Sequence, residues 1–196
     1  MIHASSVLVI IGSVRTRRIG PAVAAWVAGI GREALAREIE VVDLKDWPLP
    51  MDAEPGIPAV HGYVSERTRA WSEKIAAAAA VIIVTPQYNW GYPAALKNAI
   101  DHLYKEWSGK PAMIVSYGSR GGGKCARQLR QVLKGLDVKL APTMPGLKLS
   151  KDAIKANSGS IDPERAFARH RAKLRRAFAE LDAILRGRRF WPGWPW

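Results

Sequence analysis

What most constrains the fold of this chain is a repeated pattern. A short, unbroken apolar run ends in a loop, and the loop leads into a stripe of helical spacing. Val7-Leu8-Val9-Ile10-Ile11 ends at Gly12, and Val81-Ile82-Ile83-Val84 ends at Thr85. Runs without polar alternation read as strands buried on both faces, the habit of parallel sheets. Further strands are expected over 39–44, 112–115 and 138–141. Helical spacing fills the intervals. Val23, Trp26, Val27 and Ile30 follow Gly20-Pro21, and proline suits a first helical turn. Helices are also expected over 64–80 with Ser65 as a cap, over 93–103 with Leu96, Ile100 and Leu103 on one face, and after Gly123 with Leu129, Val132, Leu133 and Leu136. A final helix over 163–186 places Leu174, Phe178, Leu181 and Leu185 on one stripe, while 45–63 and 142–162 read as loops.

Strands alternating with helices imply an α/β three-layer sandwich on a parallel sheet. Five strands favour the flavodoxin-like order 2-1-3-4-5, with a ligand site at the switch point between strands 1 and 3. The 196 residues fit one domain over 1–189, followed by an aromatic tail over 190–196. The longest apolar stretch, 75–84, is too short to span a bilayer and reads as a helix end running into a strand. The opening residues lack a basic start followed by an apolar core, so no signal peptide is expected. The single cysteine, Cys125, allows no intrachain disulfide, and the cytoplasm is the expected compartment. A formal charge of +13 raises the question of nucleic acid, membrane or anionic ligands. Much of the excess is C-terminal, from Arg165 to Arg189, and reads as a solvated helix face rather than a nucleic-acid groove. No membrane partner is expected.

Two loops carry the chemistry. After the first strand come Ser13, Arg15, Thr16, Arg17, Arg18, Ile19 and Gly20. Free backbone N–H groups at a helix start, with hydroxyls and guanidiniums beside them, suit a phosphate. After the third strand, Pro86, Gln87, Tyr88, Asn89 and Trp90 set amide and backbone groups beside aromatic rings. A flat, hydrogen-bonding ring needs both. Together the loops suggest a site for flavin mononucleotide (FMN). A third loop, Ser116-Tyr117-Gly118 through Gly121-Gly122, is expected to let the backbone approach the ring closely. The run from Gly118 to Cys125 imitates a nucleotide P-loop, but it ends in cysteine where magnesium wants a hard oxygen. Asp101 and His102 read as a helix-surface pair, and no motif places a catalytic residue or a metal ligand.

These loops resemble the NAD(P)H-dependent FMN reductase family, which includes soluble quinone reductases and azoreductase-like flavoproteins. Its first motif runs G-S-x-R-x-x-S. Gly12, Ser13 and Arg15 match, and Arg18 replaces the serine. Its second is P-E-Y-N followed by P-x-x-L-K-N-A-I-D. Pro86, Tyr88, Asn89, Pro93, Leu96, Lys97, Asn98, Ala99, Ile100 and Asp101 match, with Gln87 for the glutamate. In the third, Gly121, Gly122, Leu129 and Arg130 match, while Lys124 and Cys125 depart. The resemblance covers about 7–142. It implies non-covalent FMN, hydride uptake from NADPH or NADH, and delivery to a quinone, free flavin or similar planar acceptor. It also implies a homodimer that completes each flavin pocket; the number of aromatics extends the expectation to a homodimer or tetramer. Spare aromatics at Trp90, Tyr92, Trp107 and in the tail, with the helix over 93–103, are the expected contact surface. The rival expectation is a flavin-binding redox-regulatory protein with incidental turnover.

Overall fold

The computed structural model describes residues 6–51 and 54–188; the aromatic tail lies outside them. The strands are β1 (Val7–Ile11), β2 (Ile39–Asp43), β3 (Ala80–Pro86), β4 (Pro111–Gly118), β5 (Lys139–Leu140) and β6 (Gly146–Lys148). The helices are α1 (Gly20–Ala34), α2 (Glu66–Ala77), α3 (Ala94–Asp101), α4 (Gly123–Gly135), α5 (Lys151–Ala156), α6 (Pro163–Phe167) and α7 (Arg171–Leu185). The sheet order is β2-β1-β3-β4-β5, with β6 also paired to β4, and every ladder is parallel. This is the expected flavodoxin-like order.

Alternation along the buried strands splits the core into two layers. Val9, Ile11, Ile82 and Val84 face α1 and α7, where Val23, Val27, Leu174 and Phe178 meet them. Leu8, Ile10, Val81 and Ile83 face Trp71 and Ile75 of α2, Leu96 of α3 and Leu129 of α4. Both faces of β1 and β3 are therefore covered, as their unbroken apolar runs require. Close helix packing sets one strict residue choice: a Cβ at Gly31 of α1 would lie 2.8 Å from the Phe178 ring.

Three local expectations need correction. Ser65 makes no side-chain cap at α2; the N–H groups of Val64 and Ser65 donate instead to the Glu54 carboxylate, at 2.8 and 3.0 Å. The helix expected over 163–186 is broken into α6, a 3-10 turn at Ala168–His170, and α7. The stretch 142–162 is not all loop, since it contains β6 and α5. The edge of the sheet is also split. Leu140 lies opposite Ala112, and Gly146 opposite Ser116, so the edge chain uses two more residues than β4 over the same span. Pro142 and Pro145 fall in this bulge, where a ladder donor is not needed. Glu180 of α7 holds the bulge by accepting from the Thr143 N–H at 2.6 Å and its hydroxyl at 2.7 Å.

Candidate functional site

At the carboxyl ends of β1, β3 and β4 lies a cavity of about 700 Å³. This is within the usual size range for a small-molecule or cofactor site. Its walls come from four segments: the loop between β1 and α1, the loop after β3, the end of β4, and α5 with the turn that follows it.

The first wall is Arg15, Thr16, Arg17, Arg18 and Ile19. Among the described residues, the backbone N–H groups of 14–19 donate to no protein acceptor. The loop thus presents a row of unused donors before α1, whose first turn carries Pro21 and no acidic side chain. That is the chemistry of an anion cradle. Ser13 does not join the wall. It is fully buried, accepts from the Tyr117 hydroxyl at 3.4 Å, and sits where a Cβ on Gly20 would come within 2.5 Å of its Oγ. Ser13 and Gly20 therefore shape the loop from beneath. Arg18 is committed as well. Its guanidinium forks onto the Asp43 carboxylate at the end of β2, at 2.6 and 2.5 Å, and also donates to the Ser13 carbonyl. Burial opposes the charge on Asp43, but the hydrogen bond from Arg18 and that from the Lys45 N–H outweigh it and hold the carboxyl below its usual range. Arg18 thus lines the cavity as a brace, while among the described residues Arg15 and Arg17 make no hydrogen bond or ion pair through their guanidiniums.

The second wall is Pro86, Gln87 and Tyr88. Tyr88 and Gly91 exchange backbone hydrogen bonds of 2.9 and 2.8 Å, closing a tight turn around Asn89 and Trp90. Both central residues have positive φ, 44° and 74°. Of these residues Tyr88 lines the cavity, while Asn89 and Trp90 form the tip of the turn beyond its lining. The Arg15 guanidinium stacks 3.5 Å from the centre of the Tyr88 ring. Gln87 has two roles. Its N–H donates to the Tyr117 carbonyl at 2.9 Å, and its Oε1 accepts from the N–H groups of Lys124 and Cys125 at 3.1 and 3.3 Å. It therefore caps α4 from another strand, where the chain itself supplies only Gly122.

The third wall is Tyr117, Gly118 and Ser119. Tyr117 is nearly buried, and that burial pushes its phenol up to about 12. Two of the glycines expected to approach a ring have a role within the fold. Gly121 and Gly122 have φ of 76° and 75°; a Cβ on Gly121 would meet the Gly146 carbonyl at 3.0 Å, and one on Gly122 the Ser116 side chain at 2.8 Å. Ser116 donates to the Gly121 carbonyl at 2.8 Å. Ser116 and Gly122 thus hold the loop against β4, Gly121 packs it against Gly146 of β6, and Gly118 alone of the three glycines lines the cavity. The P-loop imitation also dissolves. The Lys124 ammonium sits 2.6 Å from the centre of the Trp90 ring, and Cys125 is buried with its thiol pushed up to about 12.

The fourth wall was missed in the sequence. Leu149, Ala153, Ile154, Asn157, Ser158, Gly159, Ser160 and Ile161 close the cavity opposite the strands. Ser150 caps α5 by accepting from the Ala153 N–H at 3.1 Å, Asn157 ends it in the left-handed region, and Gly159 (φ 75°) passes so close to the first loop that its Cβ would lie 3.4 Å from the Arg17 Cα. The signal was present as Ser150 followed by Asp152, then Asn157-Ser158-Gly159 as a stop. Elsewhere, His102 is not a surface residue. Its ring lies between the Thr68 hydroxyl and the Pro50 carbonyl, 2.9 Å from each. Asp101 pairs instead with Lys97. Among the described residues no group of His, Cys, Asp or Glu could hold a metal.

A parallel α/β sandwich with a phosphate-type loop and a ring-sized cavity at its switch point is a flavodoxin-like mononucleotide-binding protein. Solved structures agree on the fold. The flavoenzyme NAD(P)H:(acceptor) oxidoreductase FerB of Paracoccus denitrificans superimposes with a TM-score of 0.70 at 21% identity, covering 92% of this chain and 99% of that one. The model of the NADPH-dependent FMN reductase family matches residues 5–147. An NAD(P)H-dependent FMN reductase of Schizosaccharomyces pombe is 50% identical over 180 residues, 91% of this chain and 89% of that protein. A quinone reductase of Escherichia coli is 38% identical over 103 residues, half of each chain. The chain belongs to the NADPH-dependent FMN reductase family: it is an FMN-dependent NAD(P)H oxidoreductase.

Proposed function

We propose that FMN lies in the cavity with its phosphate on the free N–H groups of 14–19 and the side chains of Arg15, Thr16 and Arg17. Its ring then lies along Tyr88, the Pro86-Gln87 backbone and Gly118, and the electrons pass to a quinone, a free flavin or another planar acceptor. The row of unused backbone donors in a loop whose residues 15–19 line the cavity is the observation that carries this placement. The residues fit the group. The donors suit a dianion, the Gly118 backbone carries no side chain to bar a ring, and Tyr88 supplies an aromatic wall. Bound FMN supplies the hydride chemistry, taking two electrons from the nicotinamide. The protein's part is to bind the phosphate, orient the ring by backbone groups, and cover it with the turn over 157–161. No side chain is required as general acid or base. Acceptors of the quinone and flavin class are supported by the names of the relatives.

We also propose a homodimer. Trp90, Tyr104, Met51, Ile57, Val60 and Val64 are exposed on the described surface, and large apolar side chains of this kind, where they gather into a patch, form subunit interfaces. Trp107 is not among them: it is buried, with its indole N–H on the Ile100 carbonyl. The single cysteine, a buried thiol, supports a reducing compartment such as the cytoplasm.

Purified protein titrated with FMN and with riboflavin, followed by steady-state turnover with a quinone, tests the site. The expected result is FMN bound far more tightly than riboflavin, with turnover. Equal affinity for both ligands would overturn the phosphate assignment. Binding without turnover would leave a redox-regulatory protein.

A further inference from the structure

The chain ends in a block of two chemistries. Arg186, Arg188 and Arg189 come first, and Phe190-Trp191-Pro192-Gly193-Trp194-Pro195-Trp196 follow. From 190 onward no side chain is charged and none carries a hydroxyl or a carboxamide. The described structure shows where this block starts. α7 is stopped by Gly187 in the left-handed region (φ 75°), and the N–H groups of Gly187 and Arg188 donate to the Ile184 and Ala183 carbonyls, at 2.9 Å each. The block therefore begins at a capped helix end, where Arg186 and Arg188 are exposed.

The helix that leads there is cationic on its solvent side. Over 163–196 nine Lys and Arg stand against three acids. Each acid is engaged: Glu164 accepts from Trp26 and Arg171, Glu180 from Thr143 and Arg176, and Asp182 pairs with Arg186. Lys173, Arg175 and Arg176 are exposed along α7, while Leu174, Ala177, Phe178 and Leu181 hold its other side to the core. The field continues past the start of α7. A hollow beside α5 shares Ser119, Leu149, Ala153, Ile154 and Ile161 with the cofactor cavity. Arg120, Lys148, Lys151, Arg165 and Arg169 line it, and no Asp or Glu does. Among the described residues none of these five cations, nor Lys173, forms an ion pair.

Like charges along one side repel one another unless an extended polyanion faces them. Nucleic acid and an anionic bilayer are both such polyanions, and the terminal block separates them. A nucleic-acid surface sets rings among cations, so that bases stack while phosphates pair. Here the cations come first and the rings follow by themselves. Tryptophan favours the headgroup layer of a bilayer, and cations beside it favour anionic lipids. Among the described residues no helix is long and apolar enough to cross a membrane, and an interfacial contact needs none.

We propose that the outer side of α7, with Arg188, Arg189 and the aromatic run after them, docks this chain on an anionic lipid bilayer. The indoles enter the headgroup layer and the cations lie over it. The expectation of no membrane partner then holds for spanning segments alone. Docked in this way, the enzyme works beside acceptors dissolved in lipid, such as quinones with a long apolar chain. That consequence rests on the acceptor reading above.

Co-sedimentation of the flavin-loaded protein with vesicles tests the docking. Vesicles of phosphatidylcholine and phosphatidylglycerol in equal parts should carry the protein down, phosphatidylcholine alone should not, and high salt should release it. A chain ending at Arg189 should lose roughly tenfold or more in partitioning, because its apolar contact with the headgroup layer is gone. Lys173→Gln/Arg175→Gln/Arg188→Gln should lose about a hundredfold, at roughly fivefold per cation. Both variants should keep the flavin absorbance and the turnover with a short, water-soluble quinone. No sedimentation with the anionic vesicles, unaltered partitioning in either variant, or tighter binding to a single-stranded oligonucleotide than to the anionic vesicles would overturn the proposal. So would a truncated chain that loses mass in light scattering yet still binds vesicles, since the aromatic run would then belong to a subunit contact. Flavin-free protein should sediment equally, so a failed FMN placement leaves the docking result intact. The acceptor consequence is read apart: a long-chain quinone should show a lower apparent KM in anionic vesicles than in phosphatidylcholine, and equal values would overturn it.

Discussion

Arg15 and Arg18 are three positions apart in one loop, yet the structure divides their work. Arg18 is spent on Asp43, and Arg15 stands at the cavity wall over Tyr88. Arg15→Ala should weaken FMN binding by about 1.5–3 kcal/mol, the range for hydrogen bonds to charged groups. Riboflavin affinity should barely move, and a fluorescence titration of both ligands checks this. Asp43→Asn acts differently, because it releases the brace. It should lower stability by about 1.5–3 kcal/mol, measured by urea unfolding at neutral pH. The sign of the pH dependence follows from the depressed carboxyl of Asp43. The stabilisation is fully present above the ordinary aspartate range and is lost as pH falls through the lower, folded-state value. Wild type and Asp43→Asn should therefore converge in stability on acidification, and a gap that persisted at low pH would contradict the pairing.

At the scale of elements, the least regular piece matters most to the cavity. α5 and the turn over 157–161 supply the wall opposite the strands. Gly159→Ala places a side chain at φ 75° and against Arg17, at a backbone penalty of about 1–2 kcal/mol. The expected result is faster FMN release in stopped-flow displacement, with the fold intact by circular dichroism. Gln87→Glu tests the cap on α4. A carboxylate beside the N–H groups of Lys124 and Cys125 should raise stability by about 0.3–1 kcal/mol, read as a higher Tm of the flavin-free protein. These elements also mark what a sequence can reveal. β1 and β3 were plain because both their faces are buried, so their apolar runs have no gaps. β6 was not plain, because its three residues contain one glycine and depend on β4 for their shape. The break before α7 was hidden for the opposite reason: the apolar stripe continues across it, while the backbone tightens for one 3-10 turn. In the site, the loops around Arg15 and Tyr88 announced themselves by donors and rings. What the sequence did not disclose was placement: that Asn89 and Trp90 form a tip beyond the cavity lining, and that Ser13, Ser116, Gly121 and Gly122 serve the loops from behind.

Across the whole molecule, the charge of +13 is not spread evenly in effect. Arg15 and Arg17 front one cavity and five further cations front its neighbour, so anionic ligands approach along a favourable field. The KM for NADPH should rise with ionic strength while kcat holds, because salt screens exposed charges beyond about 8–10 Å. An assay series in sodium chloride measures it, and a flat profile would contradict the steering. Association of subunits is checked by light scattering at micromolar concentration, where the expected mass is twice 21.5 kDa. A monomer with full quinone turnover would refute both the dimer and any role for it in completing the site.

The split edge of the sheet has a consequence for life at high concentration. A parallel sheet ending in a long flat strand invites another sheet to zip onto it. Here the last strand is cut in two by a bulge with a proline at either side, and Glu180 has already taken the Thr143 N–H. A growing fibril would find no run of open donors along that border. The residues that separate β5 from β6 thus leave that border without the long open strand on which a second sheet would need to start.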